Sequence, residues 1–364
     1  MRIAQLTYST RPRGGVVHTL AIAEALAAAG HQVDVWSLAR GGDSTFFRPV
    51  DPRVGLRLVP LPEIDGEDVG TRIVRSIKQL AEAFDPSGYD IVHAQDCISA
   101  NAVPRCIRTI HHLDNFTTPE LAACHERAIV RPYAHICVSA AVAAEVEDGW
   151  GIRPQVIPNG VDFDRFAQAA TDRQGRGEWA DQLGTYVLAV GGIEPRKGTT
   201  DLIEAMAGLQ RDRPDVDLVI AGGETLFDYR DYRQKVFHRA DELGVRMTGL
   251  GTVANDRLPA LVAQAAAFAF PSVKEGFGLA AMEAMAAGTP VVMRGLPVLR
   301  EIYTGAAAFA NSPSGIADAL LAAINAPPAG QLADARTLAA RYSWPDAAEA
   351  HTRFYNRITD LARS

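Results

Sequence analysis

The chain has 364 residues, which is enough for two domains of ordinary size, and its 48% hydrophobic and 22% charged residues exclude a disordered chain. Its net charge is -7, and no run of Lys and Arg supplies a local basic patch, so we expect no nucleic-acid partner. The four cysteines lack zinc-binding spacing, and we expect free thiols in a cytoplasmic protein.

Short apolar runs alternate with helical ones along the whole chain, which predicts parallel sheets covered by helices on both faces. In the first half we predict strands over residues 2–8, 33–38, 91–94 and 106–110 and a helix over 17–29. In the second half we predict strands over 186–190, 218–221, 246–248, 267–270 and 290–293 and a helix over 199–209. Two such series predict the α/β class with two Rossmann-like domains.

The turn sequence Pro158-Asn159-Gly160 indicates where the first domain ends. We assign residues 1–163 to an N-terminal domain and 164–340 to a C-terminal domain. The polar segment 168–182 should be a linker or a peripheral loop. A C-terminal helix over 341–364 has apolar residues at helical spacing, and we expect it to pack on the N-terminal domain and complete it.

Two glycines, Gly14 and Gly15, separate the first predicted strand from its helix. They would let the backbone approach an anionic ligand at the helix N-terminus, but a tight turn alone also explains them. The sequence GLGTVA at 249–254 matches a dinucleotide-binding pattern. It leads into a loop rather than directly into a helix, which disfavours an NAD site.

The sequence GGIEPRKG follows the first predicted strand of the second half and places Arg196 and Lys197 beside a helix start. Two cations near the positive end of a helix suit a diphosphate. A solvated basic turn is the alternative.

The segment EGFGLAAMEAM places Glu275 before a predicted helix and Glu283 more than one turn inside it. Free N–H groups around Phe277 to Leu279 would attract a phosphate, whereas carboxylates beside a phosphate should accept hydrogen bonds from hydroxyls. A nucleoside-diphosphate sugar has this distribution of groups. Alternatively, Glu275 serves the helix dipole and Glu283 lies on an exposed face.

The longer segment PSVKEGFGLAAMEAMAAGTPVV resembles the ExxxxxxxE signature of the retaining glycosyltransferases of family 4. The sequences GGVVHTL, DIVHAQD, RTIHH, VIPNGVD and VGGIEPRKG extend this resemblance along most of the chain. The resemblance implies the GT-B fold, in which two Rossmann-like domains with parallel sheets face each other across a cleft. It also implies an acceptor side on the N-terminal domain and a donor side on the C-terminal domain.

Carried over residue by residue, the resemblance implies a catalytic set and a donor-binding set. The catalytic set consists of His111 beside the anomeric centre, Glu275 on the donor sugar's hydroxyls and Lys197 at the diphosphate, and we add to it the neighbouring cation Arg196. The donor-binding set consists of Gly15, Gly192, Phe277, Gly278, Leu279 and, on the ribose, Glu283. The family has an Arg where this chain has Gly192, so either Arg196 replaces that charge or the diphosphate is held less strongly.

The resemblance implies transfer of a hexose from a nucleotide-diphosphate sugar, with retention of anomeric configuration, to a small-molecule, glycan or lipid acceptor. Because protein cations and a helix N-terminus would meet the charge of the leaving diphosphate, we expect neither a metal nor a cofactor. Loops at 224–231 and 249–253 should decide donor specificity. A nucleotide-sugar epimerase on the same fold, an NAD-dependent dehydrogenase and a non-catalytic binding protein remain alternatives.

The amphipathic segment RIVRSIKQLAEAF brings Arg72, Arg75 and Lys78 near one another on a predicted helix. Such a helix either attaches weakly to a membrane surface or packs on its own sheet.

Overall fold

The computed structural model describes residues 1–113, 118–223, 229–326 and 329–363. The chain divides into unit 1, residues 1–160 and 344–364, and unit 2, residues 161–343. The sequence placed these divisions at 163/164 and 340/341. Val161 and Ser343 form a parallel bridge, and the Val161 N–H donates to the Tyr342 carbonyl, so the first and last residues of unit 2 are tied together.

The described residues of unit 1 form a seven-stranded parallel sheet in the order β3-β2-β1-β4-β5-β6-β7. The strands are β1 (Arg2–Thr7), β2 (Gln32–Arg40), β3 (Val54–Leu61), β4 (Ile91–Ala94), β5 (Ile107–Ile110), β6 (Ala134–Cys137) and β7 (Gln155–Val156). The helices are α1 (Gly14–Ala28), α2 (Val69–Ala83), α3 (Cys97–Ala102), α4 (Pro119–Val130), α5 (Ala140–Trp150) and, after unit 2, α15 (Trp344–Arg363).

Strands β4 and β5 are buried along their whole length, as expected of apolar runs in a sheet that helices cover on both faces. Helix α15 packs against α1, and its Tyr355 joins Leu20 and Leu26 of α1 in the main core of unit 1.

The described residues of unit 2 form a six-stranded parallel sheet in the order β10-β9-β8-β11-β12-β13. The strands are β8 (Thr185–Val190), β9 (Val216–Ala221), β10 (Met247–Gly251), β11 (Ala267–Phe270), β12 (Val291–Met293) and β13 (Ala308–Phe309). The helices are α6 (Phe163–Ala169), α7 (Arg173–Leu183), α8 (Thr199–Asp212), α9 (Arg230–Leu243), α10 (Leu258–Gln264), α11 (Leu279–Ala286), α12 (Pro297–Tyr303), α13 (Pro313–Asn325) and α14 (Ala329–Arg341).

The expectation of a linker or peripheral loop over 168–182 was wrong, because α7 occupies most of that segment. The Asp172 side chain caps the helix by accepting from the Gly175 N–H. Trp179 is only 4% exposed, and the Arg257 guanidinium lies 4.3 Å over its ring. Burial of this aromatic side chain against α10 therefore stabilises a helix that its polar, glycine-interrupted sequence does not predict.

The amphipathic helix α2 buries Ile73, Ser76 and Leu80 in unit 1. Its cations face carboxylates: Arg75 makes paired hydrogen bonds with Glu67, Lys78 lies 3.8 Å from Glu82, and Arg72 interacts electrostatically with Glu67. No helix among the described residues has the length and apolar character needed to cross a membrane. Weak membrane contact through α2 stays a prediction.

Candidate active site

Three of the predicted site residues lie together at the strand ends of unit 2. Lys197 and Arg196 belong to a short 3-10 turn between β8 and α8. Lys197 Nζ is 2.6 Å from Glu275 Oε1, and Arg196 Nη1 is 3.3 Å from the same oxygen. Arg196 also pairs with Glu194 at 2.6 Å. The fold therefore brings together residues 78 and 79 positions apart in sequence.

Glu194 was not predicted as a site residue, although GGIEPRKG shows it two positions before Arg196. Its carboxylate and that of Glu275 hold the guanidinium between them. The charge of Arg196 is thus engaged by two carboxylates.

A glycine lets the Lys197 turn pack directly on the loop that carries Glu275. Gly198 has φ +65, and a Cβ there would lie 2.2 Å from the Pro271 carbonyl oxygen. The Val273 N–H donates to the Arg196 carbonyl at 2.8 Å. Any side chain at position 198 would push these two segments apart.

Helix α11 begins as predicted beside Gly278, which is its N-cap with φ +95 and offers no side-chain cap. Within the described part of the chain, no acceptor is bonded to the N–H groups of Gly278, Leu279 or Ala280. Phe277 is buried with its ring edge-on to Tyr342. An uncapped helix N-terminus that also carries no acidic residue in its first turn suits an anion.

Glu283 lies inside α11 and is partly buried rather than on an exposed face. Burial, helped by the negative charge of Asp162 and opposed by Arg165, raises the pKa of its carboxyl to about 7. Near neutral pH this group is therefore present in both protonation states.

Glycines also bring the ends of β8 and β9 together. A Cβ at Gly222 would lie 2.1 Å from the Gly191 carbonyl and 2.6 Å from the Gly192 nitrogen. The dinucleotide-like glycines Gly249 and Gly251 lie within β10, not in a strand-to-helix turn, so they do not form a dinucleotide fingerprint. Of the predicted specificity loops, residues 224–228 fall outside the described ranges.

In unit 1, Gly14 and Gly15 form the first turn of α1, three residues earlier than the predicted start. Neither has a positive φ, so a tight turn does not explain them. Gly14 faces open space, and a Cβ at Gly15 would lie 3.8 Å from Cδ2 of His111, which follows β5. The glycines thus leave room around the helix N-terminus, beside the predicted histidine.

His111 is held in its neutral form. Burial and the nearby His18 and Arg108 lower its pKa well below the ordinary value. Its Nε2 is buried without a hydrogen-bond partner. The His18 ring meets it edge-on with centroids 4.7 Å apart, and His18 Nδ1 is 2.8 Å from Asn159 Oδ1.

Sequence reasoning missed the buried polar cluster behind His111. His93 bonds Tyr355 through Nδ1 and Thr109 through Nε2, both at 2.7 Å, and His351 lies beside both His93 and His18. No local pattern joins these positions, because the chain is folded back on itself through α15. Among the described residues, no group of three or more His, Cys, Asp or Glu side chains is placed to hold a metal ion.

Comparison with known proteins gives matches over both halves of the chain. Residues 12–165 match the family described as Glycosyltransferase Family 4, and residues 178–336 match Glycosyl transferases group 1. A D-inositol 3-phosphate glycosyltransferase of Mycolicibacterium smegmatis is 29% identical, with 98% of this chain and 91% of that protein covered. A glycosyltransferase of Methanocaldococcus jannaschii is 30% identical, with 83% of this chain and 82% of that protein covered. The Anabaena protein HepE in complex with UDP-glucose is similar in structure, with a TM-score of 0.77 at 20% identity over 98% of this chain and 100% of that one.

Proposed function

The chain belongs to glycosyltransferase family 4 and has the GT-B fold, as predicted, and on that premise we propose that it moves a hexose from a UDP-sugar to an acceptor hydroxyl with retention of anomeric configuration. The uridine donor is proposed because the similar HepE structure contains UDP-glucose. D-inositol 3-phosphate is the first acceptor to try, because a relative is named for it.

One observation carries this proposal: Glu275 and Lys197 are in contact beside the uncapped N-terminus of α11. A Lys ammonium has three N–H donors, so Lys197 can keep Glu275 and still reach a phosphate oxygen. The carboxylate oxygens of Glu275 can accept hydrogen bonds from sugar hydroxyls. The free N–H groups of α11 complete a site for the diphosphate.

In the proposed reaction, the bond between the anomeric carbon and the diphosphate oxygen breaks while the acceptor oxygen bonds to that carbon on the same face. The acceptor proton passes to the leaving diphosphate. Lys197 and the N–H groups of α11 stabilise the negative charge that grows on the leaving oxygen, so no metal ion is required for that task.

The test is transfer from UDP-glucose to D-inositol 3-phosphate, with and without EDTA, and with the product's anomeric configuration read by NMR. We expect an α-linked product and an unchanged rate in EDTA. Glu275→Ala should lower the rate by about 10²–10³-fold because the sugar loses its charged acceptor. The control is Glu242→Ala, which changes a carboxylate on α9 that is 46% exposed and should leave the rate unchanged.

Other outcomes would support a different function. Equal rates for Glu275→Ala and the control would contradict the assignment of Glu275 to the site. A product with inverted anomeric configuration would contradict the retaining mechanism. Conversion of UDP-glucose to another UDP-sugar without acceptor would identify an epimerase. Thermal stabilisation by NAD and not by UDP would favour a dehydrogenase.

A further inference from the structure

Tyr303, the last residue of α12, bonds to the N-cap of the helix that carries Glu283. Its side chain is 0% exposed, and its hydroxyl donates to the Gly278 carbonyl at 3.0 Å. The same carbonyl accepts the N–H groups of Ala281 and Met282 at 3.0 and 3.1 Å. The Gly278 carbonyl is thus fixed both by its own helix and by a side chain from a neighbouring one.

The orientation of this carbonyl decides the orientation of a site N–H group. Because a peptide group is planar and trans, the Gly278 carbonyl and the Leu279 N–H point in opposite directions within one rigid plane. A bond that holds the carbonyl therefore aims the Leu279 N–H away from Tyr303. That N–H is among those without an acceptor in the described residues.

The surroundings of Tyr303 keep its hydroxyl protonated, so that it remains a hydrogen-bond donor. Burial is the main cause, and with the neighbouring acidic groups Tyr342, Glu275 and Glu283 it raises the pKa of the Tyr303 hydroxyl well above the ordinary value. The hydroxyl therefore keeps its proton at any working pH and lies within the electrostatic reach of both predicted site carboxylates.

We propose that Tyr303 is a positioning residue for the donor's diphosphate: it fixes the Gly278–Leu279 peptide so that the Leu279 N–H points at a phosphate oxygen. This inference rests on the proposed function, since it requires a nucleoside diphosphate at α11. The residue acts through the backbone and does not itself contact the donor.

The test compares the binding of UDP and of uridine to wild type and to Tyr303→Phe by titration. The variant keeps the ring and removes the hydroxyl, and it should fold because two helix N–H groups still satisfy the Gly278 carbonyl. We expect the Kd for UDP to rise about 5–10-fold, the effect of one misaligned hydrogen bond to a charged group. The Kd for uridine, which has no phosphates, should stay within about two-fold.

Tyr186→Phe is the matched control. Tyr186 is also a fully buried tyrosine of unit 2, and its hydroxyl donates to the carbonyl of Leu261 in α10 at 2.7 Å rather than to a carbonyl of α11. If both variants weaken UDP equally, or if Tyr303→Phe weakens uridine as much as UDP, the hydroxyl serves stability only and the inference is overturned. If wild type binds no UDP, the proposed donor site fails and this inference fails with it, which is a different result from UDP binding that Tyr303→Phe leaves unchanged.

Discussion

Gly278 carries two separate constraints in one residue. Its φ of +95 is a backbone conformation that residues with a side chain rarely adopt. A Cβ at this position would lie 3.3 Å from both Phe270 Cε1 and the Tyr303 hydroxyl. Gly305 has a similar φ of +87, but no atom lies within 4 Å of its added Cβ. A comparison of alanine substitutions at Gly278 and Gly305 therefore separates the cost of backbone strain from the cost of steric crowding.

We predict that Gly278→Ala destabilises the protein more than Gly305→Ala does. Backbone strain should destabilise both variants by about 1–2 kcal/mol. Gly278→Ala must also displace packed aromatic side chains, which should cost about 1–3 kcal/mol more. The free energies of unfolding in urea measure the difference. Equal losses would mean that the packing around Gly278 adjusts without cost.

At this scale the sequence indicated which charged residues meet in unit 2 but not most of the contacts around them. Glu275, Lys197 and Arg196 were predicted from charged side chains beside helix starts and from the resemblance to family 4. The roles of Glu194, His18 and Tyr303 depend on side-chain directions that residue type alone does not give. Tyr303 and Gly278 are 25 positions apart and share no pattern that links them.

Among the elements, the long buried strands and α11 were predicted, whereas β3 and α7 were not. Strand β3 contains Gly55 and Pro60, residues that weaken a strand pattern, and it lies at the edge of its sheet where Pro is tolerated. Helix α7 owes its stability to the burial of Trp179 rather than to its own propensity. Tertiary packing, which a single sequence does not display, decided both.

Helix α15 supplies a polar contact that the core of unit 1 requires. The Tyr355 hydroxyl accepts from Gln5 Nε2 at 3.2 Å and bonds His93 Nδ1 at 2.7 Å, and all three groups are buried. We predict that Tyr355→Phe lowers the free energy of unfolding by about 1–3 kcal/mol, because two buried partners each lose a hydrogen bond.

The comparison is with Tyr133→Phe, which removes the hydroxyl of a tyrosine that is 41% exposed and should change stability by less than about 0.5 kcal/mol. Chemical denaturation monitored by circular dichroism gives both values. A loss for Tyr355→Phe as small as for the control would show that the buried network rearranges to satisfy itself.

The two units of the molecule differ in how they should respond to acid. Of the nine histidines, only His238 lies in unit 2. Burial lowers the pKa of His18 to about 3 and that of His351 to about 4, and it also lowers the pKa values of His93 and His111. Below about pH 6.5 these histidines therefore bind protons in the unfolded chain but stay neutral in folded unit 1.

We predict that unit 1 loses stability as the pH falls from 7 to 5, with His18 and His351 each contributing about 2 kcal/mol at pH 5. Asp96 acts in the opposite direction, since burial raises its pKa, but it is one group against several. In unit 2, Glu283 with a pKa of about 7 binds its proton more readily when folded, so this group stabilises unit 2 over the same range.

Hydrogen exchange followed by mass spectrometry at pH 7 and pH 5, corrected for intrinsic rates, separates the two units. Amides of β1, β4, β5 and α15 should lose protection at pH 5 while those of β8, β9 and β11 keep it. Loss of protection first in unit 2 would contradict the assignment of acid sensitivity to the buried histidines.

The order of units along the chain has a consequence for biosynthesis. Unit 2 occupies the single stretch 161–343, whereas unit 1 begins before it and is completed after it by α15. On the ribosome, unit 2 has all its residues, including the pairing ends Val161 and Ser343, before α15 is translated. Gln5 and His93 are translated early, but their hydrogen-bond partner Tyr355 is translated last. During this interval unit 1 is incomplete, and it is the part of the nascent chain that chaperones and quality-control proteases would recognise.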